Sequence, residues 1–318
     1  MKTKDYIKGI KARDISILGK AITLIESSLE KDKHRAEDVL EQCIPLAGQS
    51  IRIGISGTPG VGKSTFIEAL GSQLINKNTK IAILAIDPSS ALSQGSILGD
   101  KTRMAKLSNS ELAFIRPSPS SGTLGGVADT TKNAIILCEA AGFDIIIIET
   151  LGVGQAEFTV QSMTDIFIYL TLTQNGDELQ FSKKGILELI DIIIINKADQ
   201  NQKKAKEVAF ILQNSIQHTK STNNVFICSA LNGLNIEMIW QHIKELYQKK
   251  METGEIEQIR KKQDTDWMEK TIIKEFNDIL LNKIKIKKIV SHLSKQEFKS
   301  PRKQALKIIK DLFKEDEK

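Results

Sequence analysis

Cysteine is scarce in this chain. Cys43, Cys138 and Cys228 are its only three, far apart and with no C-x-x-C pair; such spacing speaks against a disulfide framework or a soft-metal cage and suits small buried hydrophobes in a reducing compartment. Aromatic residues make up only 5%, too few for the basic, aromatic-interleaved face of a nucleic-acid binder. No apolar run approaches the roughly 18 to 20 residues that span a bilayer. The N-terminus, Met1-Lys2-Thr3-Lys4-Asp5-Tyr6, lacks the apolar stretch of a signal peptide. The expectation is a cytoplasmic protein with neither membrane nor nucleic acid among its partners. Net charge is +6, and its location matters more than its size: residues Lys249 to Lys318 hold nineteen Lys and Arg against thirteen Asp and Glu, the whole excess. That segment reads as a solvated helical surface or a contact for an acidic partner.

What is present is organised around one stretch, Gly57-Thr58-Pro59-Gly60-Val61-Gly62-Lys63-Ser64-Thr65. It fits G-x-x-x-x-G-K-[ST], the phosphate-binding loop of nucleoside triphosphatases. Ile51-Arg52-Ile53-Gly54-Ile55 before it is β-branched like a buried strand, and Phe66, Ile67, Leu70 and Leu74 after it recur at helical spacing. Successive backbone N–H groups and a helix N-terminus then face one spot, which suits a polyphosphate. Lys63 is placed to reach the β- and γ-phosphates, and the Ser64 hydroxyl to take a Mg²⁺ position.

The chain in order supports an α/β architecture. Residues 1 to 49 read as helical: Ile15, Leu18, Ile22, Ile25 and Leu29 step by three and four, with Asp14 as N-cap, and Val39, Leu40 and Cys43 form a second short face before Pro45. Apolar runs suited to buried parallel strands follow at Ile51–Ile55, Ile81–Ile86, Leu112–Ile115, Ile145–Ile148, Ile166–Leu172, Ile192–Ile195 and Val225–Ile227. Helical patterns such as Thr131–Ala141 and Lys203–Ile216 lie between them. Alternation of this kind predicts a mostly parallel sheet with helices on both faces and ligands at the C-terminal strand ends.

Those strand ends carry the chemistry. Ile81–Ile86 runs into Asp87-Pro88-Ser89-Ser90, and the polar, Gly-punctuated Gly95–Met104 block that follows contains Asp100. Residues Pro117 to Gly126 read as a Pro, Ser and Gly loop. Asp144-Ile145-Ile146-Ile147-Ile148-Glu149-Thr150-Leu151-Gly152 resembles the third guanine-nucleotide motif: the acid positions the shell of Mg²⁺, and the Gly152 N–H binds a γ-phosphate only when one is present. Gln155, in the same loop, is read as structural. Asn196-Lys197-Ala198-Asp199 after the next strand is N-K-x-D. Its aspartate can accept from N1–H and the exocyclic amine of guanine, donors that adenine lacks. Ser229-Ala230-Leu231 fits the fifth motif, in which a backbone N–H reads the guanine O6.

Together these stretches resemble the MeaB/ArgK group of P-loop GTPases, the G-protein chaperones of methylmalonyl-CoA mutase. The resemblance rests on Gly57–Thr65, Asp87–Ser90, Gly95–Met104, Ile115–Gly126, Glu149–Gln155, Gly176–Gln180, Lys183-Lys184-Gly185 and Asn196–Asp199. It implies a P-loop fold over residues 50–250, a helical N-terminal extension over 1–49 and a helical dimerisation extension over 251–318. It also implies a homodimeric GTPase that binds GTP or GDP with Mg²⁺ and gates cofactor loading of an adenosylcobalamin-dependent acyl-CoA mutase, protecting or reactivating it. By position, Ser64, Asp87, Asp100 and Glu149 are the Mg²⁺ residues, and Lys63, Asp100 and Glu149 the catalytic ones. Asp177, Glu178, Gln180 and Lys183 belong to an additional switch loop, where this chain carries Phe181-Ser182 in place of the Gly-Ile of the family. Met268, Ile272, Phe276, Ile279 and Leu280, with Ala305, Ile308, Ile309 and Leu312, supply the apolar faces of the C-terminal extension. Two rival readings go with the architecture. A nickel-insertion GTPase would need clustered soft ligands, whereas His34, His218, His242 and His292 are scattered; an ATP-dependent kinase or ATPase of basic amino-acid transport would need no guanine selection.

Overall fold

A computed structural model describes residues 1–27, 29–86, 104–116, 124–150, 156–173, 188–216, 224–284 and 302. Seven strands are described: β1 (Ile51–Gly57), β2 (Ile81–Ile86), β3 (Ala113–Arg116), β4 (Ile145–Thr150), β5 (Ile166–Leu172), β6 (Ile192–Asn196) and β7 (Val225–Ile227). They form one sheet in the order β3-β2-β4-β1-β5-β6-β7, every pairing parallel. β1 lies in the middle, between β4 and β5. Its neighbour β4 fits an interior place too: Ile145 to Ile148 are buried without a polar break, as a strand covered on both faces requires.

The helices described are α1 (Thr3–Lys11), α2 (Ile15–Ile25), α3 (Glu30–Cys43), α4 (Lys63–Ile75), α5 (Ala105–Ser108), α6 (Leu124–Ala140), α7 (Ala156–Gln161), α8 (Gln202–Ile216), α9 (Ile236–Glu252) and α10 (Glu255–Ile284). Alternate residues of each strand feed two cores. Ile53, Ile55, Ile145 and Ile147 pack with Phe66, Ile67 and Leu70 of α4 and with Ile239 and Trp240 of α9. Ile146, Ile148 and Phe167 pack on the other face with Leu137 of α6, Val160 of α7 and Leu212 of α8. That second core continues outward into α1–α3 through Ile10, Leu18, Ile22 and Val39.

Asp14 caps α2 as its position predicts, accepting from the Ile17 N–H at 3.0 Å. Leu29 departs from expectation. The helix closes on its C-cap Glu26, and Leu29 becomes the N-cap of α3, largely exposed. α6 begins at Leu124, seven residues before the predicted start, and takes in Gly125 and Gly126; glycine propensity is a weak prior against a helix that tertiary packing holds. Among the described residues no helix is long and apolar enough to cross a membrane.

The chain divides into two compact units, Met1–Arg260 and Lys261–Lys318. In the second, Met268, Ile272, Ile273 and Phe276 of α10 are more than half exposed. The predicted apolar positions Ala305, Ile308, Ile309 and Leu312, and the side chains of Ile279 and Leu280, lie outside the described residues.

Candidate functional site

The site forms at the C-terminal ends of β1, β4 and β6, on the face that carries α4. β1 ends at Gly57, where a Cβ would stand 2.3 Å from the Leu170 carbonyl oxygen, so only glycine lets the chain leave the sheet beside β5. The turn closes with the Val61 N–H on the Thr58 carbonyl at 3.3 Å, and Gly62, at φ 94°, opens α4. Lys63, 7% exposed, folds back into the turn. Its Nζ donates to the carbonyls of Gly57 at 2.7 Å and Thr58 at 3.3 Å, so the ammonium stands at the mouth of the loop.

One residue on, the Ser64 hydroxyl donates to Glu149 Oε1 at 3.0 Å. Glu149 is 4% exposed at the end of β4, paired with Ile55 of β1. A hydroxyl and a buried carboxylate 85 residues apart thus meet beside the phosphate-binding turn. The pair is made of hard oxygen donors, the chemistry that Mg²⁺ takes and nickel does not favour. Among the described residues, no three His, Cys, Asp or Glu side chains gather as a metal cluster.

Asn196 ties the other end of the site. Its Nδ2 donates to the Val61 carbonyl at 2.9 Å, while Oδ1 accepts from the Ala230 N–H at 3.0 Å and the Cys228 thiol at 3.3 Å. One buried amide therefore joins the phosphate turn to the segment after β7. Lys197, at φ 59°, is held in a left-handed conformation unusual for lysine, and its Nζ donates to the Gly60 carbonyl at 2.8 Å. Beyond these residues opens a cavity of about 160 Å³ lined by Gly62, Thr65, Asn196, Lys197, Asp199 and the run Ser229-Ala230-Leu231. Ser229 and Leu234 exchange backbone hydrogen bonds that close the turn beneath it. Burial, with the Asp199 charge second, pushes the Cys228 thiol up to about 12, so it stands under the cavity as a neutral donor.

The structure thus gathers Gly57, Thr58, Pro59, Gly60, Val61, Gly62, Lys63, Ser64, Thr65 and Glu149 at one end of a groove, with Asn196, Lys197, Asp199 and Ser229–Leu231 at the other. Asp87, Asp100, Gly152, Gln155, Asp177, Glu178, Gln180 and Lys183 lie outside the described residues. Two features had no signal in the sequence. The bridging role of Asn196 depends on which loops meet, not on its motif. A buried hydroxyl chain of Ser56 and Thr150 ends on Glu157, one step from the loop and from Glu149.

Comparisons with known proteins agree in direction. The pattern of the family described as methylmalonyl-CoA mutase-associated GTPase MeaB matches residues 18–285. The GTPase ArgK of Escherichia coli is 40% identical over 272 residues, 84% of this chain and 82% of its own. The mouse mitochondrial protein named methylmalonic aciduria type A homolog is 40% identical over 267 residues, 79% of this chain and 64% of its own. A crystal structure titled as a LAO/AO transport system kinase superposes with a TM-score of 0.76 at 30% identity, covering 98% of this chain and 97% of that one.

Proposed function

The chain belongs to the methylmalonyl-CoA mutase-associated MeaB family of GTPases, and from that premise we propose that it is a Mg²⁺-dependent GTP switch serving an adenosylcobalamin-dependent acyl-CoA mutase. The observation that carries the reading is the convergence of Lys63, the Ser64–Glu149 pair and the Asn196-linked cavity on one groove. In this reading the Gly57–Thr65 amides and Lys63 hold the β- and γ-phosphates. Ser64 and Glu149, with Asp87 and Asp100, hold Mg²⁺. A bound Mg²⁺ supplies charge neutralisation at the phosphate oxygens. Asp199 accepts the two guanine donors, and the amides of Ser229–Leu231 face O6. ATP is rejected because its base would leave the Asp199 carboxylate unpaired in a site built to be satisfied.

The switch half of the reading is supported by the contact of Ser64 with Glu149 beside the phosphate-binding turn. In this reading Lys63, folded into the turn, meets the γ-phosphate, Glu149 holds the metal beside Ser64, and Gly152 comes three residues after Glu149 in the sequence. Loops that close on a triphosphate and release on hydrolysis give a partner two surfaces to read. The partner assigned here is the mutase whose cobalamin loading and repair the GTP cycle gates. The assembly is a cytoplasmic homodimer built through 251–318, and the exposed Met268, Ile272, Ile273 and Phe276 supply apolar surface for a second copy.

Two measurements test this. Asp199→Ala is expected to weaken GDP about a hundredfold while leaving inorganic triphosphate binding unchanged; equal displacement of bound GDP by ATP and GTP from the unmodified protein would remove the guanine assignment and restore the kinase reading. A pull-down from native cytosol, with GDP against a non-hydrolysable GTP analogue, is expected to retain an acyl-CoA mutase differently in the two states. No mutase in either would leave the GTPase without this partner.

A further inference from the structure

The groove lies on one face of the sheet, yet a second polar cluster is buried directly behind it. Thr150 Oγ1 donates to Ser56 Oγ at 2.9 Å, and Ser56 donates to Glu157 Oε1 at 3.2 Å. All three residues are at most 1% exposed. Ser56 immediately precedes the phosphate-binding turn, Thr150 immediately follows Glu149, and Glu157 belongs to α7. A carboxylate is costly to bury and is tolerated where hydrogen bonds satisfy it.

The faces follow from strand alternation. Ile145 and Ile147 of β4 pack towards α4, whereas Ile146 and Ile148 pack towards Val160 of α7. Glu149 therefore meets Ser64 on the α4 side, and the next residue, Thr150, meets Ser56 and, through it, Glu157 on the α7 side. α7 lies hard against β1: a Cβ on Gly54 would stand 2.7 Å from Val160 Cγ1. The end of β4 is thus gripped from both faces by consecutive side chains. Cutting the rear grip removes one restraint on the peptide that carries the acid, which the ladder to β1 and β2 also holds, and a displacement near 1 Å at a reacting centre can cost about a hundredfold in rate.

We propose that Glu157 is a positioning residue for GTP hydrolysis, holding through the Ser56 and Thr150 hydroxyls the end of β4, and so the Glu149 carboxylate, against the phosphate-binding turn. The inference rests on the site reading given above and extends it to a residue that does not touch the nucleotide. It separates two properties that a general packing role would move together: the chemical step and its Mg²⁺ requirement depend on the grip, whereas GDP affinity, dominated by the turn and by Asp199, does not.

The test compares Glu157→Gln, Thr150→Val and Thr150→Ser in the full chain, reading single-turnover GTP hydrolysis, the Mg²⁺ concentration for half-maximal rate and GDP affinity. Glu157→Gln and Thr150→Val are expected to slow hydrolysis about tenfold to a hundredfold and to raise the Mg²⁺ requirement, with GDP affinity within about twofold of the parent. Thr150→Ser, which keeps the hydroxyl, is expected to restore the rate. Wild-type hydrolysis in both Glu157→Gln and Thr150→Val overturns the proposal, as does a loss of GDP affinity in step with the rate. If Glu157→Gln does not fold, the Thr150 pair decides alone. Ser64→Ala separates the two levels: a slow Ser64→Ala beside a normal Glu157→Gln and Thr150→Val sinks only this inference, while a normal Ser64→Ala sinks the metal-site reading and this inference with it.

Discussion

At Gly62 a single hydrogen stands where any other residue would carry a carbon. A Cβ there would lie 2.7 Å from the Asn196 amide nitrogen, and the backbone is already left-handed at φ 94°. Gly62→Ala therefore meets two penalties at once: roughly 1–2 kcal/mol for the conformation and loss of the Asn196 bond that joins the turn to the cavity. GDP affinity is expected to fall at least about tenfold while the melting temperature moves by only a few degrees, which isothermal titration and thermal denaturation would check. The thiols make a different point. Burial raises Cys43 to about 11 and Cys228 to about 12, with Cys138 pushed higher still by burial and by neighbouring Glu139. At pH 8 a thiol reagent is expected to find none of the three in the native protein and all three in guanidinium. The same shifts set a sign. Above the ordinary thiol value of 9.0 the unfolded chain sheds protons that the folded chain keeps, so this contribution to stability is intact below pH 9 and is lost as pH rises towards 11 and 12.

Between elements, the polar contacts at the N-terminal ends of the central strands matter most. Glu139 of α6 accepts from Arg52 Nε and Nη2, both at 2.8 Å, from the Ser50 hydroxyl at 2.6 Å and from the Gly48 N–H at 2.9 Å. Asp165 before β5 accepts from the Arg52 N–H and from Arg260 of α10. Burial alone would raise Glu139, but Arg52, Ser50 and Gly48 outweigh it and hold the carboxyl below its ordinary value. Glu139→Ala leaves Arg52 only slightly exposed and without that charge, a change expected to cost about 3–5 kcal/mol in urea unfolding. The folded carboxyl is depressed, so its stabilisation is present above the ordinary value of 4.5 and is lost as pH falls through the folded value. The parent's urea midpoint should therefore fall more steeply below pH 5 than that of Glu139→Gln. None of this network was legible in the sequence, whereas the strands it secures were. Unbroken runs such as Ile145–Ile148 and the Asp14 cap announce themselves within a few residues. Glu139 to Arg52, Ser56 to Thr150 and Asn196 to Val61 join residues far apart in the chain, and their meeting depends on sheet order and register. The nucleotide motifs could be read because their glycines and strand ends are local; the grips that hold them could not, because each needs a second strand in place.

Taken whole, the protein reads as a GTPase kept waiting. In the proposed reading Lys63 and Glu149 supply charge and position, but no described side chain at the groove is identified as a base that would activate water unaided. Turnover by the isolated protein is expected on the order of 10⁻⁴ to 10⁻² s⁻¹; a phosphate-release assay giving about 10 s⁻¹ without a partner would contradict the switch reading. Light scattering is expected to return twice the chain mass of 35.4 kDa, and charge substitutions at Ile272 and Phe276 to halve it. The position of β1 has a last consequence, for the nascent chain. The strand that begins the phosphate turn is among the first made, yet both its neighbours, β4 and β5, begin only at Ile145 and Ile166. At about 5–20 residues per second on the ribosome, Ile51–Gly57 waits several seconds after synthesis for either strand partner. A protein proposed to assist another's maturation thus passes through an interval in which its own central strand has no partner.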